Sequence, residues 1–164
     1  MVTDSFRYPS VGNVLDIHED IVSEYSDTSP GVRSRGDVEF ALESVGEGPF
    51  GEASEGIHGN AFRLLRLLAT NHPFVDGNKR TALNTVYTFY LLNGCRFDYD
   101  DEIRAVLKQF GTDETAVEEA SVLEYFRTHT TAVGPDEARR ELVLRVAKAD
   151  RDEHRDIYDA LENE

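Results

Sequence analysis

His72-Pro-Phe-Val-Asp-Gly-Asn-Lys-Arg-Thr-Ala-Leu-Asn84 packs a histidine, a carboxylate, a Gly-Asn turn, a Lys-Arg pair and an amide side chain into one short stretch. Upstream, Ile57, Ala61, Leu64, Leu65 and Leu68 recur at three- and four-residue steps. Downstream, Ala82, Leu83, Val86, Phe89, Tyr90 and Leu92 do the same. Both runs therefore predict helices, each apolar over much of its circumference and so buried near the centre. Pro73 prevents the first helix from simply continuing. The stretch is a loop that leads into the N-terminus of a central helix spanning about residues 79–93, with Gly94 as its stop.

A helix start of this kind offers free backbone N–H groups and the positive end of the helix dipole, which suits an anion. Gly77 lets backbone approach a phosphate closely, and Lys79 and Arg80 add full charges. Asp76 is a candidate ligand for Mg²⁺, which usually takes one or two carboxylates and completes its shell with water and phosphate oxygens. His72 can take or give a proton near neutral pH. The plainer alternative is an interhelical loop with capping residues and no chemistry.

The rest of the chain continues the helical pattern. Ser10 caps a helix carrying Val11, Val14, Leu15, Ile21, Val22 and Tyr25, with His18 on the same face as a satisfied core histidine. After a turn at Pro30-Gly31, Asp37 starts a short helix through Val45. Arg33 and Arg35, just before it, pair with surface carboxylates or reach a phosphate. Residues 46–59 carry five glycines and Pro49, which makes them a connector or a functional loop. Cys95–Tyr99 reads as extended, followed by helices over 103–110 and 113–130. From Asp136 the chain is highly charged yet keeps an apolar stripe, so residues 134–164 read as an amphipathic helical tail of open role. It could pack on its own domain, on a second copy as a homo-oligomer contact, or on a partner. The fold class is all-α, with one domain over 1–133 followed by the tail.

Composition narrows the function. The 164 residues hold 17 basic and 32 acidic side chains, a net charge of −15. That balance argues against direct nucleic-acid binding, because phosphate backbones are held by basic surfaces. Only Lys79, Lys108 and Lys148 are lysines, and an acidic, lysine-poor surface suits a halophilic, high-salt cytoplasm, where salt screens self-repulsion. The single cysteine, Cys95, rules out an internal disulfide and is expected to be a small buried apolar residue. No apolar run reaches membrane-spanning length and no signal-peptide pattern opens the chain, so a cytoplasmic location is expected.

The stretch His72–Asn84 resembles the signature of the Fic/Doc family, written His-x-Phe-x-(Asp/Glu)-Gly-Asn-Gly-Arg-x-x-Arg. The match falls at His72, Phe74, Asp76, Gly77, Asn78 and Arg80. It departs at Lys79, where the AMP-transferring branch has glycine, and at Leu83, where that branch has a second arginine. Both departures are those of the Doc toxin branch. Tyr8-Pro-Ser-Val, Ile17-His18-Glu19, Gly31-Val-Arg-Ser-Arg-Gly36 and Ala41-Leu42-Glu43 also resemble that branch, so the likeness covers about residues 8–128.

The resemblance implies a compact Fic-type helical bundle with a flap in the glycine-rich segment. It also implies a Doc-type kinase that moves the terminal phosphate of ATP, with Mg²⁺, onto a threonine of the translation elongation factor that delivers aminoacyl-tRNA. Carried onto this chain, His72 is the general base and Asp76 the Mg²⁺ ligand. Gly77 and Asn78 form the anion-binding turn, Lys79 and Arg80 stabilise the transferring phosphoryl group, and Asn84 faces the site one turn beyond Arg80. Phe74 anchors the loop in the core. Alternatives are an AMP or nucleotidyl transferase, disfavoured by Lys79 and Leu83, and a catalytically silent binding module. Fic proteins with an internal inhibitor carry (Ser/Thr)-x-x-x-Glu-(Gly/Asn). Thr115 and Glu119 have that spacing, but Ala120 follows, so an antitoxin partner is expected instead.

Overall fold

The structure is a computed structural model that describes residues 6–46, 56–112, 117–133 and 143–161. The described elements are α1 (Val11–Glu24), α2 (Arg35–Gly46), α3 (Gly56–Thr70), α4 (Asn78–Leu92), β1 (Cys95–Phe97), α5 (Ile103–Thr112), α6 (Glu119–Thr128), β2 (Thr130–Ala132), α7 (Val143–Glu153) and α8 (Arg155–Ala160). The all-α expectation holds, with one two-stranded antiparallel ribbon, β1 against β2, added at the side. Every residue of α4 is buried. It is the axis of the fold, packed by α3, α1, α7 and β1, while α2, α5 and α6 lie on α3.

The local reasons are visible. Ser10 and Asn13 close a reciprocal cap on α1, the Ser10 hydroxyl accepting from Asn13 N–H at 3.0 Å and the Asn13 amide oxygen accepting from Ser10 N–H at 2.9 Å. Helix α2 begins earlier than Asp37, because the Ser34 hydroxyl takes the Asp37 N–H at 3.1 Å and serves as the cap. Arg35 pairs with Glu39 on the surface. Gly94 follows α4 with φ 81°, the left-handed residue expected after a helix end.

The run expected as one helix over 113–130 is shorter. Residues 130–132 leave it and pair with Cys95–Phe97, Phe97 opposite Thr130. The ribbon covers a nest of aromatic rings in which Phe97 lies 5.1 Å from Tyr90 and 5.2 Å from Phe126. Cys95 is only half-buried, beside this core rather than inside it. No helix among the described residues is long and apolar enough to cross a membrane. Most of the candidate flap, 47–55, lies outside the described residues, as does Thr115.

Candidate functional site

The loop before α4 is held from two sides. On one side the 31–34 turn lies against it: Arg33 and Ser34 N–H both donate to the Pro73 carbonyl, at 2.7 and 2.9 Å, and Val75 N–H donates to the Gly31 carbonyl at 3.1 Å. Arg33 thus contributes its backbone to the loop. On the other side α1 presents His18, whose ring stacks on Phe74 at 3.8 Å and whose Nε2–H donates to the Asp76 carbonyl at 2.8 Å. Phe74 is 1 % exposed, the anchor it was expected to be; burying such a ring is worth about 1.5–3 kcal/mol. Asn78 closes the loop on itself, its amide bridging the N–H and carbonyl of Phe74 at 3.0 Å each.

His72 and Gly77 sit at the loop's two bends. His72 has φ 51°, the one non-glycine residue in the left-handed region among the described residues, and is half-buried. Backbone strain of this kind persists only where surroundings enforce it, and it gathers at functional sites. Gly77 has φ 78° directly before α4, and a Cβ there would lie 3.3 Å from the Thr28 methyl. Gly77→Ala is therefore expected to destabilise the fold by about 1–2 kcal/mol, read as a lowered denaturation midpoint.

Asp76 is half-exposed, and its Oδ2 accepts the Ser29 N–H at 3.0 Å. One carboxylate beside a helix start fits Mg²⁺, which takes most of its shell from water and phosphate oxygens. The one carboxylate–histidine group that could hold a cation among the described residues, Asp100, Glu102 and His129, does not include Asp76.

The remaining motif residues divide. Lys79, 6 % exposed, lines a cavity of about 700 Å³ whose wall carries Asp100, Asp101 and Glu102 as well as Arg104 and Lys108, and His72, Asp76 and Arg80 are not among its lining residues. Arg80 turns away beneath the C-terminal segment. Its Nε donates to the Tyr158 carbonyl at 2.8 Å, a terminal nitrogen donates to the Thr28 hydroxyl at 3.1 Å, and the guanidinium lies 3.9 Å from the centre of the Tyr25 ring. Burial pulls its pKa down, while Tyr25, Asp27, Asp159 and Asp76 oppose that pull. Asn84 is wholly buried. Its Nδ2 donates to the Ala147 carbonyl at 3.0 Å and to Asp150 at 2.9 Å, and its Oδ1 accepts from Arg151 at 2.7 Å. Leu83, where the AMP-transferring branch has arginine, belongs to the apolar core.

Several residues around this site had no signal in the chain's periodicity. Asp150 is fully buried and accepts from the hydroxyls of Tyr99 and Tyr158 at 2.6 Å each. Burial first, and the adjacent carboxylate second or third, hold both phenols well above their ordinary pKa. Arg151, also fully buried, forks onto Glu24 of α1 at 3.0 and 2.7 Å. Burial works to raise the Glu24 carboxyl, but Arg151 and Arg155 outweigh it and hold it below its ordinary value. A buried pair needs both a sequence-local charge and a distant partner, and only the charge can be read from the chain.

Two histidines report on this architecture. Burial lowers the His18 pKa below 6.5 against the opposing pull of Asp76 and Glu19. The unfolded chain then binds a proton first as pH falls, so His18's contribution is complete above about 6.5 and is lost through lower pH. His154 lies 3.0 Å from Asp150 and stacks on Tyr99. Burial lowers its pKa, but Asp150 more than reverses this and the net shift is upward from 6.5. Its contribution is complete below that value and fades as pH rises through the folded pKa. Hydrogen-exchange protection factors should therefore fall at residues 72–78 on acidification and at residues 150–158 on mild alkalisation.

The sequence profile described as the Fic/DOC family matches residues 8–90. A second profile, described as a putative halobacterial antitoxin to Fic, matches residues 109–164. Toxin Doc of Mycolicibacterium smegmatis is 46 % identical over 43 residues, 26 % of this chain and 33 % of that protein. The alignment thus spans about a third of that relative.

Proposed function

Because this chain belongs to the Fic/DOC family, we propose that it is a Doc-type toxin enzyme that transfers the terminal phosphate of a nucleoside triphosphate to a hydroxyl of a protein target. The observation that carries the phosphotransfer reading is the pair of positions where the AMP-transferring branch has Gly and Arg. Here Lys79 stands at the first, buried where that branch leaves room for the nucleotide, and Leu83 at the second is in the core and offers a phosphate no charge. By resemblance, the target is a threonine of the translation elongation factor that delivers aminoacyl-tRNA, inside the cell.

In this reading His72 takes the proton from the target hydroxyl as its oxygen attacks the terminal phosphorus. The bond from that phosphorus to the bridging oxygen breaks, and the nucleoside diphosphate leaves. The backbone N–H groups at the start of α4, with Lys79, stabilise charge on the transferring group; Arg80 would join them only on leaving the Tyr158 carbonyl and the Thr28 hydroxyl. Asp76 would hold Mg²⁺, which supplies further neutralisation of the phosphates when bound. His18 and Asn78 position the loop.

The test is incubation of the protein and the elongation factor with ATP labelled on either the α- or the γ-phosphate. The assay belongs in concentrated salt, since the net charge of −15 favours it. Label from the γ-position should reach the factor. Transfer of the α-label alone would sink the kinase reading and favour nucleotidyl transfer.

A further inference from the structure

We propose that His18 is a positioning residue for the phosphate site: by holding the Asp76 carbonyl it fixes the Asp76–Gly77 peptide, so that the Gly77 N–H stays presented to the transferring phosphate. The inference rests on the reading of the loop before α4 as an anion-binding turn, and adds what keeps its first donor in place.

One peptide plane sets the geometry. In a trans peptide the carbonyl and the following N–H point in opposite directions. The His18 Nε2–H donates to the Asp76 carbonyl at 2.8 Å, so the Gly77 N–H is turned to the face of the loop away from α1. Gly77 is buried, yet its N–H makes no hydrogen bond among the described residues. A buried backbone donor without a partner is rare. At a helix start it is the group that an anion takes up.

Such a peptide needs a lock. Gly77 stands at φ 78°, and glycine populates both signs of φ about equally, so rotation of the 76–77 plane meets little steric resistance. The next peptide is already fixed, because the Gly77 carbonyl accepts the Thr81 N–H at 2.9 Å at the start of α4. The 76–77 plane lies ahead of that ladder and depends on contacts from elsewhere. Helix α1 supplies them. The His18 ring stacks on Phe74 at 3.8 Å with an interplanar angle of 9°, and a Cβ on Gly77 would lie 3.6 Å from its Cδ2. The stack fixes the ring, and the ring fixes the carbonyl.

The test separates the hydrogen bond from the ring. His18→Phe keeps an aromatic plane against Phe74 and removes the donor, whereas His18→Gln removes the ring and keeps an N–H near the Nε2 position. Should His18→Phe not fold, His18→Leu, which also lacks a donor, takes its place. Amide NMR of the full chain in concentrated salt reads the Gly77 N–H with and without ATP and Mg²⁺. Wild type and His18→Gln should show one sharp Gly77 resonance that moves when ATP is added. His18→Phe should show exchange broadening confined to residues 76–78 and a smaller movement. Transfer of the γ-label to the elongation factor should fall in kcat by about ten- to a hundredfold in His18→Phe, with the KM for the acceptor protein unchanged. That is less than the loss of about 10²–10³-fold on deleting such a donor outright, because the peptide still visits the competent orientation. His18→Gln should recover most of that loss. A sharp Gly77 resonance with full transfer in His18→Phe overturns the proposal. So does a loss in His18→Gln as large as that in His18→Phe, since packing of the ring would then be what matters, and so does a wild-type Gly77 resonance that ATP leaves unmoved. The proposed chemistry is judged apart from this, by which label wild type transfers, whereas the lock is judged by the Gly77 resonance and by the contrast between the two variants.

Discussion

His72→Ala should reduce phosphoryl transfer by about 10²–10⁴-fold, the usual contribution of a positioned general base, with ATP affinity unchanged. The side chain is half-buried at the bend of a loop tied down by the 31–34 turn on one face and by His18 on the other. Removing the imidazole leaves those ties in place, so the loss falls on turnover and not on binding or folding. The measurement is γ-label transfer to the elongation factor, with thermal denaturation as control. A variant that transfers as fast as its parent would remove His72 from the reaction.

Asp150→Ala should cost about 3–5 kcal/mol of stability, a magnitude set by leaving several buried donors without an acceptor. The carboxylate receives the Tyr99 and Tyr158 hydroxyls at 2.6 Å and the Asn84 amide at 2.9 Å, all in the buried interior. His154 stands 3.0 Å away. For a chain of 164 residues, the loss corresponds to a fall in Tm of roughly 10 °C. Asp150→Asn, which keeps the shape and one acceptor oxygen, should lose less. Equal losses in the two variants would mean that packing volume, and not the acceptor, sustains the network.

These two residues mark the limits of what the chain alone reveals. His72 was legible because its neighbours are fixed in sequence: the Pro73 break, the Gly77 bend and the cations of the first turn of α4 all lie within a few residues. Helical periodicity likewise exposed the two central helices, while the anchoring of Phe74 came from the resemblance to the Fic/Doc signature. Asp150 was not legible. It sits in a run so charged that a solvated surface is the natural reading, and its partners come from α4, from Tyr99 two residues beyond β1 and from α8. Cys95–Tyr99 read correctly as extended, but the second strand was missed for the same reason, since Thr130–Ala132 becomes a strand only by meeting Cys95–Phe97.

The sequence by itself determined the helical class, the loop between two buried helices, and the ordered set of histidine, carboxylate and cationic side chains at a helix start. Periodicity and short-range spacing are local properties, and they survive without a fold. Only the tertiary structure decided where those groups are directed. It places Lys79 at the wall of a cavity, and it commits Arg80 and Asn84 to the C-terminal segment. It also turns Glu24, Asp150 and Arg151 from apparent surface charges into the seam that joins that segment to the rest of the chain. Hydrogen bonds and ion pairs between residues far apart in sequence depend on positions in space, and folding alone supplies those positions.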